Sequence, residues 1–205
     1  MQDLRGRLGR CLHPVDGAGN SDLRGDFELN PDYRSSLDGR AMKPAAVLVP
    51  LVQRSCGTNV LLTQRTEHLN DHAGQVSFPG GSIESTDSDA VAAALRETDE
   101  EIGVPPELVE VLGLLDTYET GTGFRITPVV GFVDPGYTLN VDDFEVAEVF
   151  EVPLEFVFDP ANQERQSMTW KGQRRQFFVI NYDKYFIWGA TAGLLVNLCN
   201  KVSAA

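Results

Sequence analysis

The residues best suited to chemistry lie in one run, Arg96-Glu97-Thr98-Asp99-Glu100-Glu101-Ile102-Gly103-Val104. At about 100° per residue, Val91, Ala94, Leu95, Thr98 and Ile102 fall on one helical face, a stripe suited to burial against a sheet. Glu97, Glu100 and Glu101 fall on another face, within an arc of roughly 100°. Their i, i+3, i+4 spacing makes the side chains neighbours. Three carboxylates so close repel one another and raise one another's pKa. Arg96 supplies one compensating charge for three. A hard divalent cation relieves the repulsion, and clustered carboxylate oxygens suit Mg²⁺, Mn²⁺ or Ca²⁺. A solvated acidic face would show the same pattern.

The segment upstream favours the ligand-binding reading. Val76-Ser77-Phe78 reads as a short strand stopped by Pro79-Gly80-Gly81. Two glycines let backbone approach a ligand closely. The loop then leads back to the N-terminal side of the Glu-bearing helix. Open backbone, a carboxylate face and Arg96 are thereby apposed, an arrangement able to hold a diphosphate through metal ions. The plain alternative is an ordinary turn.

The helix itself is expected from about Asp89 to Ile102. Asp87, Ser88 and Asp89 offer N-cap chemistry, Gly103 a C-cap, and Pro105-Pro106 forbids continuation. Apolar β-type runs at 45–52 and 60–63 form a hairpin through a turn at 55–59. Further strand-like runs are 109–117, 125–133 and 150–153. A second hairpin pairs 167–170 with 176–180, turning through Lys171-Gly172-Gln173. The last helix spans about Thr191 to Lys201. Ahead of the hairpins, residues 1–42 read as a helix near Asp3–Leu12 followed by an irregular polar arm, leaving 43–205 as the main domain. Strands before, between and after helices argue for an α+β fold, a mixed sheet flanked by helices.

Length and charge agree. A chain of 205 residues can bury a real core without staples. The net charge of −13 disfavours nucleic acid and an anionic membrane surface as partners. No apolar run approaches the roughly 18–20 residues of a membrane span, and the N-terminus lacks the apolar core of a secretory signal. Three widely spaced cysteines, Cys11, Cys56 and Cys199, give no disulfide framework and no CxxC pattern. They fit a reducing, cytoplasmic setting. His68 and His72 stand i,i+4, but no HExxH accompanies them, so a zinc site is set aside. GxSxG and GxxxxGK[ST] are absent, which removes serine-hydrolase and P-loop readings. Trp188 reads as core at the start of the last helix.

Gly81 through Val104 resembles the Nudix box: a Gly, a Glu, then Arg-Glu-apolar-any-Glu-Glu-any-Gly-apolar. Leu61 through Gly81 is similar to the second signature of the coenzyme A pyrophosphatase branch of that family, and Ile187 through Ala192 to the branch's C-terminal segment. The resemblance covers roughly residues 43–200. Three departures stand out: the Gly81–Arg96 spacing is one residue longer, Ser88 replaces the first box Glu with Asp87 and Asp89 beside it, and Thr98 takes an apolar position.

The resemblance implies the Nudix α/β/α sandwich, with Mg²⁺ or Mn²⁺ held by Glu97 and Glu101. Glu100 would join directly or through water, and the Gly81 carbonyl would assist. It implies Arg96 as the orienting residue, Glu97 as the general base, and one later acid, Glu145 or Glu148, completing the set. Arg65, Arg125 and Gly80 would meet substrate. The implied substrate is a small nucleotide, coenzyme A or a derivative, split into adenosine 3′,5′-bisphosphate and (acyl-)4′-phosphopantetheine. Another nucleoside diphosphate such as ADP-ribose is the first alternative, and a weakly active nucleotide-binding module the second. Monomer and homodimer both stay open.

Overall fold

The computed structural model describes residues 3–16, 23–31, 41–69, 71–170 and 172–205. Parts of the expected arm, and Lys171 of the expected second turn, lie outside them. Helix α1 (Leu4–Cys11) starts at Asp3, whose carboxylate accepts the Gly6 N–H at 3.2 Å. Leu4 and Leu8 on its inner face are buried.

Among the described residues the central sheet has nine strands. At its heart, β2 (Lys43–Arg54) runs parallel to β8 (Phe124–Val133) from Lys43↔Phe124 to Val52↔Val133. Its other edge is shared. Near the turn it pairs with β3 (Gly57–Arg65), from Leu51↔Val60 to Arg54↔Gly57. Farther back it pairs with β5 (Gly80–Ser82), centred on Ala46↔Gly81. The expected hairpin is therefore present but splayed. The chain through β4 (Val76–Ser77) fills the gap, with β4 on β3 at Thr63↔Ser77 and the Leu48 N–H donating to Pro79 O at 2.9 Å.

Side chains alternate across β2. Ala46, Leu48 and Val52 face a core built with Ala93, Ala94 and Ile102 of α2 (Ala90–Ile102). Val49 and Leu51 face the opposite core, shared with α1 and with α4 (Gly189–Ala204). A helix thus covers each face, as the sequence led us to expect. Strand β9 (Val146–Pro153) lines the outer edge of β3 and begins four residues earlier than expected. The short α3 (Leu154–Phe158), not expected, buries Leu154 and Val157.

Two expectations needed correction. The run 109–117 is not one strand: it divides into β6 (Val109–Leu114) and β7 (Thr117–Glu119). The break places Asp116 in the interior. There Lys201 Nζ lies 2.6 Å from Oδ1, His13 Nε2 2.8 Å from Oδ1, and Arg24 Nε 3.2 Å from Oδ2. The arm is also not wholly irregular. β1 (Leu23–Gly25) adds to β7 in parallel, and Asp26 just beyond it accepts the Gly121 N–H at 2.7 Å and the Tyr118 hydroxyl at 2.8 Å.

The second hairpin is present as β10 (Glu164–Trp170) and β11 (Gln173–Tyr182), and β12 (Tyr185–Trp188) extends it to a three-stranded sheet. Trp188 is half-buried and meets Phe177 edge-on at 5.4 Å. Among the described residues no helix is long and apolar enough to cross a membrane.

Asp116 ties α1, β1 and α4 to the sheet. Burial pushes its pKa up, but Lys201, His13 and Arg24 outweigh that and hold it below the usual 3.8. A carboxylate with a depressed folded pKa stabilises above its unfolded pKa, and that stability is lost as pH falls through the folded value. Denaturation across pH 3–8 should show stability steady above about pH 5 and declining below about pH 4. Asp116→Asn should cost about 3 kcal/mol at pH 7, the scale for breaking a buried ion pair. The gap between variant and wild type should narrow in acid.

Candidate functional site

Helix α2 carries the acids, and both of its ends are pinned. At the start, the Asp89 carboxylate accepts the Ala92 N–H at 2.8 Å. At the end, Gly103 adopts φ 72°, and a Cβ there would meet Asn140 at 2.5 Å. The same turn satisfies the helix's last carbonyls: Asn140 N–H donates to Ile102 O and Asp142 N–H to Glu101 O, each at 3.0 Å. Thr98 fits its buried place because its hydroxyl turns back to Ala94 O at 2.6 Å.

The three box glutamates do not share one environment. Glu101 is buried at 4% exposure. Its Oε2 accepts the Gly80 N–H at 3.3 Å, and its Oε1 lies 3.8 Å from Arg65 Nη1. Burial pushes its pKa up to about 8; the Gly80 N–H and Arg65 pull it down, while Glu145 and Glu97 push it up. Glu97 is half-buried, and burial likewise raises its pKa against the pull of Arg96. Glu97 lies directly over Gly81: a Cβ on that glycine would sit 2.5 Å from the Glu97 Cδ. Glu100 turns outward, its side chain 60% exposed, and accepts Arg96 Nη1 at 2.8 Å.

Arg96 is the organiser. Its Nε and Nη2 grip Asp87 at 2.9 and 3.0 Å, a bidentate pair. Its Nη1 reaches Glu97 Oε1 at 3.0 Å. Asp87 also accepts the Glu84 N–H at 2.8 Å, and the Arg96 guanidinium holds its carboxyl below the usual range. An acid one position before Ser88 thus pairs with the guanidinium. The sequence marks Asp87 as cap chemistry and as a neighbour of the missing box Glu, but not as the partner of Arg96. Nothing in the sequence pointed to Asn140 or Asp142.

Of the two candidate later acids, Glu145 joins the group. Its Oε2 lies 3.9 Å from Arg65 Nη1, and its charge bears on both Glu97 and Glu101. Glu148 does not: it lies on β9 across from Gln64 and pairs with Lys184 Nζ at 2.8 Å. Arg65 stands among the acids, with its Nε buried and without a hydrogen-bond partner among the described residues. Arg125, 57% exposed, lies two strands from Gly81, its Nη2 2.8 Å from Glu119 Oε1. His68 and His72 occupy the loop before β4 rather than a helix.

Among the described residues no three acid, His or Cys side chains form a ready-made metal cluster. The oxygen donors nonetheless fit a hard divalent cation. Glu97 and Glu101 approach Gly80-Gly81 from the helix and Glu145 approaches from a separate turn, and all are hard carboxylates. Two of them are desolvated. A cavity of about 910 Å³ lies at the other end of the sheet beside Arg5, Cys56 and Phe132.

Three substitutions should separate geometry from stability. Gly81→Ala meets only a movable carboxylate, so the Tm should hold within a few degrees, whereas activity should fall about 10²-fold, the scale for an ångström of misplacement. Asp87→Ala should lower kcat/KM at least about tenfold. Ser88→Glu should change it less than about threefold, because Arg96 is already held. Thermal melts and steady-state kinetics on the three variants check this.

A NUDIX domain profile matches residues 42–170. The chain is 40% identical over 169 residues to Nudix hydrolase NudL of Enterobacter sp. (strain 638), covering 82% of this chain and 88% of that protein. It is 41% identical over 160 residues to NudL of Escherichia coli (strain K12), covering 78% and 83%. Among solved structures, a MutT/nudix family protein from Enterococcus faecalis is similar in fold, with a TM-score of 0.52 at 17% identity over 85% of this chain and 70% of that one. The match takes in β2 through β9, the acid-bearing helix and the Gly80-Gly81 segment together, and the chain belongs to the Nudix hydrolase family.

Proposed function

We propose that the protein is a metal-dependent diphosphatase that splits coenzyme A and its derivatives into adenosine 3′,5′-bisphosphate and (acyl-)4′-phosphopantetheine. The observation that carries the reaction class is the convergence of Glu97 and Glu101 on the backbone of Gly80-Gly81. The substrate class rests on the stretch Leu61–Gly81 and its likeness to the coenzyme A branch.

Glu97, Glu101 and Glu145 would hold the cation, with the Gly81 carbonyl assisting and Glu100 reaching it through water. Bound Mg²⁺ or Mn²⁺ supplies Lewis acidity and lowers the pKa of water. Asp87 fixes Arg96, and Arg96 fixes the Glu97 carboxylate, whose oxygen accepts the proton of the attacking water. Arg65, already beside Glu101 and Glu145, meets negative charge on the diphosphate as it grows in the transition state. Arg125 is two strands across and two residues along from Gly81, about 12 Å at the usual strand spacing and rise. Its exposed head group suits a second phosphate on the same nucleotide, the 3′-phosphate that distinguishes coenzyme A from ADP-ribose.

Chelation by EDTA should abolish turnover, and Mg²⁺ or Mn²⁺ should restore it; full activity after exhaustive EDTA treatment would remove the metal from this account. Glu97→Gln should lower kcat at least about 10²-fold while the protein stays folded. Values of kcat/KM should rank coenzyme A above dephospho-coenzyme A by about tenfold or more, the scale of one charge-assisted contact. Arg125→Ala should shrink that gap, and Arg65→Ala should lower all substrates alike. ADP-ribose as the best substrate would overturn the coenzyme A reading and leave the diphosphatase.

A further inference from the structure

The turn that brings Glu145 to the acids also carries Phe144. Its backbone is held from two sides. Asp142 N–H donates to Glu101 O at 3.0 Å, and Glu145 and Val146 N–H donate back to Asp142 O at 3.1 and 2.9 Å. Phe144 N–H donates to Asp142 Oδ1 at 2.9 Å. From the other side, Thr66 donates twice, its N–H to Glu145 O at 2.9 Å and its hydroxyl to Phe144 O at 2.8 Å. Thr66 follows Arg65, which itself reaches Glu101 and Glu145. Phe144 is therefore fixed relative to the acid cluster.

Its side chain is not buried. At 62% exposed, Phe144 is the most exposed large hydrophobic among the described residues. Its ring meets the His68 imidazole at a centroid distance of 4.7 Å and a tilt of 57°. A buried phenylalanine would gain from leaving water; this one gains little. Two loops hydrogen-bond to each other and leave an aromatic ring, backed by a second, exposed on the turn that carries Glu145. The other exposed phenylalanine, Phe186, belongs to the small sheet near Trp188, 6.4 Å between ring centroids.

We infer that Phe144, backed by His68, is the platform on which the purine base of the nucleotide stacks. This deepens the diphosphatase reading and takes its substrate from it. A flat, pre-positioned ring offers a π-face to a base without demanding particular hydrogen bonds. The acids hold the diphosphate, and Phe144 holds the nucleoside end. Phe144 therefore favours diphosphates that bear a base over those that do not. It sets binding and takes no part in bond cleavage.

The test is calorimetric titration of ADP with Mg²⁺, on wild type, Phe144→Ala, Phe144→Leu and Phe144→Trp, alongside kcat and KM on the best substrate. Stacking of one base is worth roughly 5- to 150-fold in affinity. Alanine and leucine should both raise Kd and KM by that order with kcat within threefold, and tryptophan should stay within threefold of wild type in all three. Recovery of affinity by leucine would overturn the platform, since apolar bulk would then suffice, as would an unchanged Kd in the alanine variant. Failure of wild type to bind ADP would also overturn it. A wild type that binds ADP through Phe144 but hydrolyses no nucleoside diphosphate derivative would overturn the diphosphatase reading alone.

Discussion

The parting of β2 from β3 is the constraint on which the site depends. The two strands pair only near their turn, at Leu51↔Val60 and beyond. Had the ladder continued, no edge of β2 would remain for β5. Because it stops, Gly81 sits opposite Ala46. The insertion is tight: a Cβ at Gly80, where φ is 148°, would collide with the Ala46 carbonyl oxygen. Glycine at 80 lets the segment enter the sheet, and glycine at 81 leaves room for Glu97. One position serves the fold and the next serves the proposed site.

Helix α2 accepts an electrostatic penalty for its work. Glu100 and Glu101 stand in its last turn, at the negative end of the helix dipole, where carboxylates are disfavoured. Glu101 is also desolvated, and its pKa of about 8 records the cost. The compensation is local. The Gly80 N–H and Arg65 face Glu101, and Arg96 faces both Glu97 and Glu100. Elsewhere the chain buries charge under better terms, as at Asp116 with three basic partners. The contrast marks the helix end as the place where charge is buried on the poorest terms, which is what the proposed site requires.

Sequence periodicity exposed the helix, its caps and its buried stripe because those follow from local rules, and it exposed the three glutamates because their spacing is regular. It could not sort them by depth. A 100° arc looks uniform in projection, yet the Gly80-Gly81 backbone buries Glu101 and the solvent takes Glu100. Parallel pairing of β1 with β7 was invisible, since three residues carry no pattern and the bond partners of Asp26 lie some ninety positions away. Glu148 looked equivalent to Glu145 because alternation cannot be phased until a strand's start is known. The break at Asp116 was hidden by the apolar Leu114-Leu115 before it and the strand-favouring Thr117-Tyr118 after it.

The grip of Arg96 on Asp87 carries an implication for how this loop can be exchanged between proteins. The chain spends one more residue between Gly81 and Arg96 than the general box, and the acid stands one position earlier. Length and acid position compensate for each other. A loop graft that altered either alone would leave the guanidinium unclamped, whereas moving both together would preserve the clamp. Pattern searches that fix the spacing impose a stricter rule than the guanidinium does. The transferable unit is the closed ring of backbone from the glycine to the arginine, and its circumference is adjustable.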